Sequence, residues 1–596
     1  MLLTADFETT VDENDCRVWA WGVNEIGNND FFLYGNTIES FFDFMKMSNN
    51  STFYFHNLKF DGSFIIDYLL KHDYKHVVNK KEIKSKTFTT LISDKGQFYS
   101  IKIYFKKGNK VVTTATIYDS LKILPFSVEE VAEGFNLPIS KLQIDYNAKR
   151  KIEHILTNEE VLYLKNDVQI MSMALDVLFK QGLTKMTQGS NALHDYINTI
   201  SKETFERYFP ILSLDVDSII RKSYKGGYTY ANPIYKNKDV GMGMVLDVNS
   251  LYPYVLENCL LPYGEPIRFN EKYEYDEKYP LYIQEFTCQF ELKDKYIPTI
   301  QLKSDLRFIP TEYVTSSNYE EVTMCLTNID FELFKKHYNI YNIVYHKGYK
   351  FQGTKVLFKP YIKKWIEVKI NADKTGNKSM RTLAKLMLNA LYGKFGLNPK
   401  VCSKIPYLDN GVVKYRKGVE EFRKPLYIPV ATFVTAYARS ITITTAQKLG
   451  DKFLYSDTDS VHFLLDVPKK MQDMNIKDVS KLTTNELIDM GVDIDKDINI
   501  HPYDLGCWKI ENIFYRARFI RQKTYVEDSN KSDVWNDEKY DKSKLNITCA
   551  GMPKKCYEFV TWDNFKEGNS FKGKLMPKKV AGGTILVDES FTINIC

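Results

Sequence analysis

Hydrophobic and polar positions follow two periods along the chain, and the places where one gives way to the other outline two α/β regions. Apolar runs or period-two alternation predict strands at Leu2–Phe7, Thr52–Phe55, Thr89–Ile92, Phe98–Phe105 and Val111–Tyr118, while helical spacing predicts helices at Ser63–Lys71 and Asn158–Lys180. A second α/β region begins near Gly241, where the apolar strand Met244–Val248 runs into Asn-Ser-Leu-Tyr-Pro and then a helix. Residues 261–358 read as strands broken by prolines, Tyr361–Phe395 as a helical pair interrupted at Asp373–Lys378, and Thr432–Leu449 as a further helix. Lys452–Leu465 predicts a hairpin around Asp457-Thr-Asp459. Residues 466–503 are polar and acidic, which predicts a looped excursion, and the C-terminal segment predicts short strands with paired lysines.

Length and charge sharpen this outline. At 596 residues the chain exceeds a single core, and about 150 residues per domain implies roughly four domains or subdomains. Hydrophobic residues at 44% and charged residues at 26% are ordinary for a soluble globular protein, while aromatics at 14% are abundant; such rings pack cores, and those not needed there can stack on unpaired bases. The stretch Lys359–Lys400 carries ten Lys and Arg against two acids, a net +8, whereas the whole chain is +6. Positive charge is thus concentrated on the helical pair, as on a solvated helix face or a phosphate-binding surface. Nine cysteines without a CxxC pair or a Cys/His cluster point to free thiols and away from structural zinc. The N-terminus lacks a secretory pattern and no stretch nears about 18 apolar residues, so a non-secreted, non-membrane protein working in a cytosol is expected.

Two sets of carboxylates carry candidate chemistry. Asp6 and Glu8 are two apart at the end of an apolar strand and share a face. Asp61 follows a second apolar strand, and Tyr163 and Asp167, four apart, share a helical face. Four acids and a tyrosine suit two-metal phosphodiester hydrolysis, with Asp6, Glu8, Asp61 and Asp167 holding the cations and Tyr163 orienting the attacking water. The DxE, NxxFD and YxxxD series resembles the three motifs of the DEDDy proofreading exonucleases.

The second set is Asp247 with Asp457 and Asp459. Packed acids repel one another unless cations or protons intervene, so these three form a candidate two-metal site for phosphoryl transfer to a primer 3′-hydroxyl. Between them, Lys385, Asn389 and Tyr392 fall at i, i+4 and i+7 on one helical face that fits an incoming nucleotide, with Lys369 and Arg381 adding positive charge. The blocks Asp247-Val-Asn-Ser-Leu-Tyr252-Pro, Lys385-Leu-Met-Leu-Asn389-Ala-Leu-Tyr392-Gly and Tyr455-Ser-Asp457-Thr-Asp459-Ser resemble motifs A, B and C of family B DNA polymerases. That resemblance implies that Tyr252 stacks under the sugar and excludes a 2′-hydroxyl, and that Val248 joins the aspartates as a metal ligand.

The resemblance narrows to the protein-primed, phi29-type phage DNA polymerases and spans nearly the whole chain. Tyr224-Lys-Gly226-Gly227 resembles the YxGG link, Thr435-Ala-Tyr-Ala-Arg439 a motif before the hairpin, and Lys523-Thr-Tyr525 the KxY motif. His56, Asn57, Phe60, Ser120, Leu121 and Phe126 match single-strand ligands of the exonuclease, and Lys141 matches its catalytic-support lysine. The fold it implies is mixed α/β and α+β and multidomain. An RNase H-like DEDDy exonuclease domain (1–187) precedes a right-hand polymerase domain with palm (188–260 and 427–547), fingers (359–397) and thumb (548–596). Two terminal-protein region insertions are expected at 261–358 and 398–426, the second closing a ring around the template.

The function implied is template-directed DNA synthesis from dNTPs with 3′→5′ proofreading, protein-primed initiation and processive strand displacement, using two Mg²⁺ ions per site with Mn²⁺ able to substitute. The expected partners are template and primer DNA, a terminal protein that forms the priming heterodimer, and a single-stranded DNA-binding protein. A monomer apart from the terminal protein is expected, as a viral protein in the cytoplasm of a bacterial host. The competing readings are a DNA-primed family B polymerase, which the long spacing from Asp247 to Lys385 disfavours, and a catalytically dead replication scaffold, which the intact carboxylates disfavour. The family pattern has no counterpart for the length of 466–503, whose acids Asp493, Asp495 and Asp497 superficially mimic a metal site, and Lys225 stands where some relatives carry Arg.

Overall fold

A computed structural model describes residues 1–107, 111–302 and 313–594. The first region is an eight-stranded sheet in the order 28–35, 18–25, 2–9, 51–55, 111–119, 98–107, 87–92, 75–76. Strands 2–9, 51–55 and 111–119 run parallel to one another at its centre. The helix Asn158–Lys180 lies against it and begins at a capping box, in which Thr157 and Glu160 bond reciprocally to backbone N–H groups. The Thr4 hydroxyl donates to the Val168 carbonyl at 2.8 Å. That bond turns the strand face bearing Thr4, Asp6 and Glu8 toward this helix.

The helix predicted from Ser63 begins earlier, at Leu58, so Asp61 sits in its first turn. Asn57 adopts a left-handed φ of 72° that ends the preceding strand, and the Asp119 carboxylate accepts from the N–H groups of Asn57 and Leu58 at 3.1 and 3.3 Å. The helix is therefore capped from another strand, which local spacing does not reveal.

A second, five-stranded sheet has the order 508–514, 243–248, 460–464, 453–457, 229–231. Met244, Leu246 and Val248 join the core that includes Val430, Val434 and Ile443 of the helix Ile428–Leu449. Val245 packs on the opposite face with Tyr455, Phe514 and Phe519, so Asp247 also points away from that helix. The predicted hairpin is found as strands Phe453–Asp457 and Ser460–Leu464.

Residues 261–358 contain a four-stranded sheet with a small aromatic core of Phe286, Phe290, Phe331 and Phe334. The helical pair is Lys359–Thr375 and Lys378–Ala390, broken at Gly376, whose φ of 67° gives a left-handed cap. Residues 400–422 form a hairpin whose Asn410 and Gly411 both have positive φ, the tight turn that matches strand twist.

Two expectations are corrected. The 466–503 excursion is not a solvated loop: it forms short helices at Lys469–Gln472, Ile476–Val479 and Thr484–Asp489. Met471, Val479, Leu487, Val492 and Ile498 are buried in the main core. Its apolar residues are thinly spaced among acids, so composition concealed a packed face. Asp493 and Asp497 are ion-paired with Lys452 and Lys448, and Asp495 accepts from the Asp497 N–H. The C-terminal segment is one long hairpin, Ser570–Val580 with Gly583–Thr592, in place of several short strands. Val580 and Ile585 near its tip enter the core of the first sheet, Lys578 pairs with Glu13 at 2.7 Å, and the Lys579 ammonium lies 3.6 Å from the Tyr415 ring centre. Among the described residues, no helix is long and apolar enough to cross a membrane.

Candidate active sites

The first site lies between the strand Leu2–Thr9 and the helix Asn158–Lys180. Asp6, Glu8 and Asp167 bring ligand oxygens within 4.8 Å of one another, the one such acidic cluster among the described residues. Burial pushes the Asp6 carboxyl up to about 7, with the Asp167 charge adding to it. Burial likewise drives Glu8 and Asp61 well above the usual carboxylate range, with the Asp6 charge the next contributor to both. Asp167 is raised by burial against the opposing pull of Lys141, with which it forms an ion pair. One Asp61 oxygen and one Asp167 oxygen are buried without a hydrogen-bond partner. Four crowded carboxyls, two orphaned oxygens and one close ammonium make a donor set that fits hard divalent cations.

Lys141 also donates to the Tyr163 hydroxyl at 3.2 Å, and Tyr146 meets that hydroxyl at 2.9 Å. Tyr146 was not singled out from the sequence, because it lies in an irregular segment without periodicity. Burial pushes the Tyr163 phenol far above its ordinary value, so it stays protonated and able to donate. Asn57 is exposed, and Phe60, Leu121 and Phe126 are half-buried. Ser120 is fully buried and bonds to His56 Nδ1 at 3.0 Å, while His56 Nε2 lies 2.7 Å from the Phe126 carbonyl. Burial holds the His56 imidazole below its ordinary value. His56 and Ser120 thus fix one another, whereas Asn57, Phe60, Leu121 and Phe126 have surface to offer a strand.

The second site lies on the face of the five-stranded sheet opposite the helix Ile428–Leu449. Asp247 pairs in register with Ser460 on one side and Lys509 on the other. Asp457 ends its strand, Thr458 turns with φ of 62°, and the Asp459 N–H donates to the Asp457 carbonyl at 2.7 Å. The two aspartates therefore straddle the tight turn of the expected hairpin. The turn is held by Thr458 N–H on the Tyr228 carbonyl at 2.7 Å and by the Thr442 hydroxyl on the Thr458 carbonyl at 2.7 Å. Gly227 allows this approach, since a Cβ there would lie 2.8 Å from the Thr458 side chain. The Val248 N–H donates to the Asp459 carbonyl at 2.8 Å, which ties the two aspartate-bearing strands together.

Burial raises the Asp247 carboxyl to about 7, with Asp459 and Glu511 adding and Lys509 opposing. Asp459 is raised by burial and then by Asp457 and Glu511. Lys523 lies 3.3 Å from Asp457 and Lys509 lies 3.3 Å from Asp247. Lys509 and Glu511 were missed by sequence reasoning. They are two apart on Trp508–Phe514, but only the pairing of that strand with 243–248 puts them beside Asp247.

Arg381, Lys385 and Asn389 are exposed along one face of Lys378–Ala390, while Leu383, Ala384, Met387 and Leu388 are buried behind it. Lys369 is half-buried; burial lowers its ammonium, and Arg381, Lys385 and Lys509 lower it further while Asp373 opposes. These four cations therefore share one electrostatic field. Tyr252 and Tyr392 stack with ring centres 4.0 Å apart, joining the helix after Asp247 to the short helix Tyr392–Phe395, which begins anew after the helical pair ends at Ala390. Tyr455 accepts from the Lys523 N–H at 2.9 Å and lies 4.9 Å from the Tyr525 ring.

Thr435 and Arg439 do not reach the surface. Both are nearly fully buried: Thr435 bonds to the Ala431 carbonyl, and Arg439 grips Asp330 through two bonds of 3.0 and 2.8 Å. Arg439 also donates to the Lys225 and Gly226 carbonyls at 2.9 and 2.7 Å. The motif expected to touch DNA is spent on holding the 224–227 link, because the helix that bears it is buried nearly all round. The Tyr224 hydroxyl lies against Gly396, where a Cβ would sit only 2.4 Å away.

The chain as a whole is similar to known DNA polymerases. The family model for DNA polymerase type B, organellar and viral, matches residues 43–161 and 154–473. The DNA polymerase of Bacillus phage Nf is 45% identical, with 99% of each chain covered. The DNA polymerase of Bacillus phage phi29 is 43% identical over 99% of each chain. The solved structure of phi29 DNA polymerase with primer-template DNA and incoming nucleotide substrates superposes with a TM-score of 0.87 at 42% identity, covering all of both chains.

Proposed function

Because the chain belongs to the type B DNA polymerases of organelles and viruses, and is a DNA polymerase of the phi29 type with an exonuclease domain ahead of a right-hand polymerase domain, we propose that it copies a phage genome from a protein primer, displaces the non-template strand and edits its own ends. The observation that carries this reading is the presence of two separate carboxylate sets, Asp6, Glu8 and Asp167 gathered between a strand and a helix, and Asp247 beside the turn of Asp457 and Asp459.

For synthesis, Asp247, Asp457, Asp459 and the Val248 carbonyl would hold divalent cations, Mg²⁺ with Mn²⁺ as a substitute. Such cations supply Lewis acidity that lowers the pKa of the attacking hydroxyl and neutralises the departing pyrophosphate. Lys369, Arg381 and Lys385 hold the triphosphate, and Asn389 and Tyr392 face the base and sugar. Tyr252, stacked on Tyr392, closes the space a 2′-hydroxyl would need. Lys523 and Tyr525 hold the primer end. The 3′-oxygen bonds to the α-phosphorus as the bond to pyrophosphate breaks.

For editing, the frayed 3′ end lies across Asn57, Phe60, Leu121 and Phe126, with His56 and Ser120 bracing that wall. Tyr163, kept protonated and oriented by Lys141 and Tyr146, positions the attacking water. The water oxygen bonds to the terminal phosphorus, the bond to the 3′-oxygen breaks, and a nucleoside monophosphate leaves. Asp6, Glu8, Asp61 and Asp167 would hold the cations there.

The segments 261–358 and 398–426 are assigned to contacts with the terminal protein and DNA. The hairpin 400–422 and the C-terminal hairpin meet at Tyr415 and Lys579, which supports a closed ring around the template. Work in the cytoplasm of a bacterial host, alongside a single-stranded DNA-binding protein, belongs to the same proposal. The deciding experiment is rolling-circle synthesis on a primed single-stranded circle with Mg²⁺ and dNTPs, without helicase or clamp. Products many circle lengths long are expected; products of one circle length would remove strand displacement from the proposal.

A further inference from the structure

Lys509 occupies a position that the motifs did not draw attention to. It lies on Trp508–Phe514, the edge strand of the second sheet, directly opposite Asp247. Its neighbours Trp508 and Ile510 are buried on the helix side at 4% and 1% exposure, so strand alternation fixes Lys509 and Glu511 on the carboxylate face. The ammonium lies 3.3 Å from Asp247 Oδ1, yet the side chain keeps 38% of its surface. It is therefore held at the rim of the site and not sealed within it.

A second observation points the other way across the cleft. Arg381 and Lys385 stand exposed on the helical pair beside half-buried Lys369, whose charge burial disfavours first and these two cations and Lys509 disfavour further. One ammonium thus stands between the palm carboxylates and the cationic face of the fingers. Gathering like charges costs free energy, and nothing in the fold requires a lysine at this rim, because the strand is already anchored by Trp508 and Ile510. A polyanion spanning from Asp247 to Lys369 and Lys385 would offset that cost, since charge-assisted bonds to phosphate oxygens are the strong ones. An incoming triphosphate has that span.

We propose that Lys509 is a nucleotide-binding residue: a palm-side cation that pairs with Asp247 in the free enzyme and with the β- and γ-phosphate oxygens of the incoming dNTP during synthesis. The inference rests on the assignment of Asp247, Asp457 and Asp459 as the synthesis site. When Asp247 becomes a cation ligand its carboxylate no longer needs the ammonium, and the flexible four-carbon stem lets Lys509 turn to the phosphates. The same residue then holds the departing pyrophosphate, so the reverse reaction is affected as well. Forward and reverse steps balance without a further reactant: the 3′-oxygen to α-phosphorus bond and the pyrophosphate bond exchange.

The test uses the full-length enzyme with K509A, K509Q and K509R. Single-nucleotide insertion on a primer-template in saturating Mg²⁺ should show kcat/KM for dNTP about tenfold lower in K509A and K509Q, mostly through KM, and restored in K509R; tenfold is what one lost charge-assisted contact gives. Equilibrium binding of dNTP to the enzyme on a dideoxy-terminated primer, in Ca²⁺, should weaken by a similar factor. The pyrophosphate concentration for half-maximal primer degradation by reversal should rise in step. If nucleotide and pyrophosphate affinities stay within twofold of the parent, and only the Mg²⁺ requirement falls, Lys509 is a counter-ion of Asp247 alone and the proposal is overturned. Exonuclease activity on a single strand reports that each variant is folded. Asp457→Ala serves as the separate control: continued extension by that variant would overturn the site assignment itself, whereas its inactivity with normal nucleotide binding by K509A would overturn only the role of Lys509.

Discussion

Around Asp6, Glu8, Asp61 and Asp167 the protein supplies one close ammonium, Lys141, and leaves two carboxylate oxygens buried without partners. Around Asp247 and Asp457 it supplies two ammonium groups, Lys509 and Lys523, both on partly exposed stems. The chemistry of the two sites is similar, but their surroundings suit different substrates. On the proposed function, the editing site would receive one frayed nucleotide at a time, and its crowded cluster of buried acids suits a preassembled site. On the same proposal, the synthesis site must admit a highly charged triphosphate and release pyrophosphate at each step, and lysines at its rim would serve as interim partners. Burial favours precision, whereas counter-charges favour exchange.

The comparison breaks most decisively with reciprocal substitutions. Asp457→Ala should lower primer extension by well over about a hundredfold, beyond what losing an outer partner of a metal ligand costs, and leave degradation of a single strand intact. Asp167→Ala should do the reverse. A gel assay with both substrates decides it, and loss of both activities in either variant would mean that the sites are not independent.

A smaller effect is expected from Lys141→Ala. Removing the ammonium that pairs with Asp167 and orients Tyr163 should slow the exonuclease by about 10–100-fold, with extension unaffected. Steady-state rates on single-stranded DNA measure this, and an unchanged rate would reduce Lys141 to a structural counter-ion.

The smallest effect is thermal. The Asp6 and Asp247 carboxyls stand at about 7 in the folded protein against 3.8 in an unfolded chain. A raised acid binds its proton more tightly when folded, so its contribution to stability is complete below about pH 4 and is lost as pH climbs through about 7. Chelated protein should therefore melt lower at pH 8 than at pH 6, and Mg²⁺ should raise Tm by several degrees at pH 8 and less at pH 6. The first region, with four raised acids, should show the larger shift. Calorimetry showing an equal Mg²⁺ gain at both pH values would contradict the link between burial and cation demand.

What was legible in the sequence was whatever local spacing encodes. The helix Asn158–Lys180 matches the expected span because its apolar period lies within it. Tyr163 and Asp167 were placed on one face for the same reason. The pairing of Asp6 with Glu8 needed only strand alternation. Features made by distant contacts were missed: the early start of the Leu58 helix depends on Asp119, and the roles of Lys509 and Glu511 depend on sheet register with Asp247. Thr435 and Arg439 show the converse error, since a motif can be placed correctly and still act through the fold by gripping Asp330 and the 225–226 backbone.

The C-terminal hairpin bears on how such an enzyme is best re-engineered. Val580 and Ile585 complete the hydrophobic core of the first sheet, and Gly582 lies so close to the Cys16 carbonyl that a Cβ would approach to 2.0 Å. The helix Asn158–Lys180 in turn shares its core with Leu383 and Met387 of the helical pair. The exonuclease is thus not a detachable module. Cutting the chain after residue 187 would lay bare apolar surface on both fragments, so an editing-free polymerase is better made by replacing single carboxylates than by truncation.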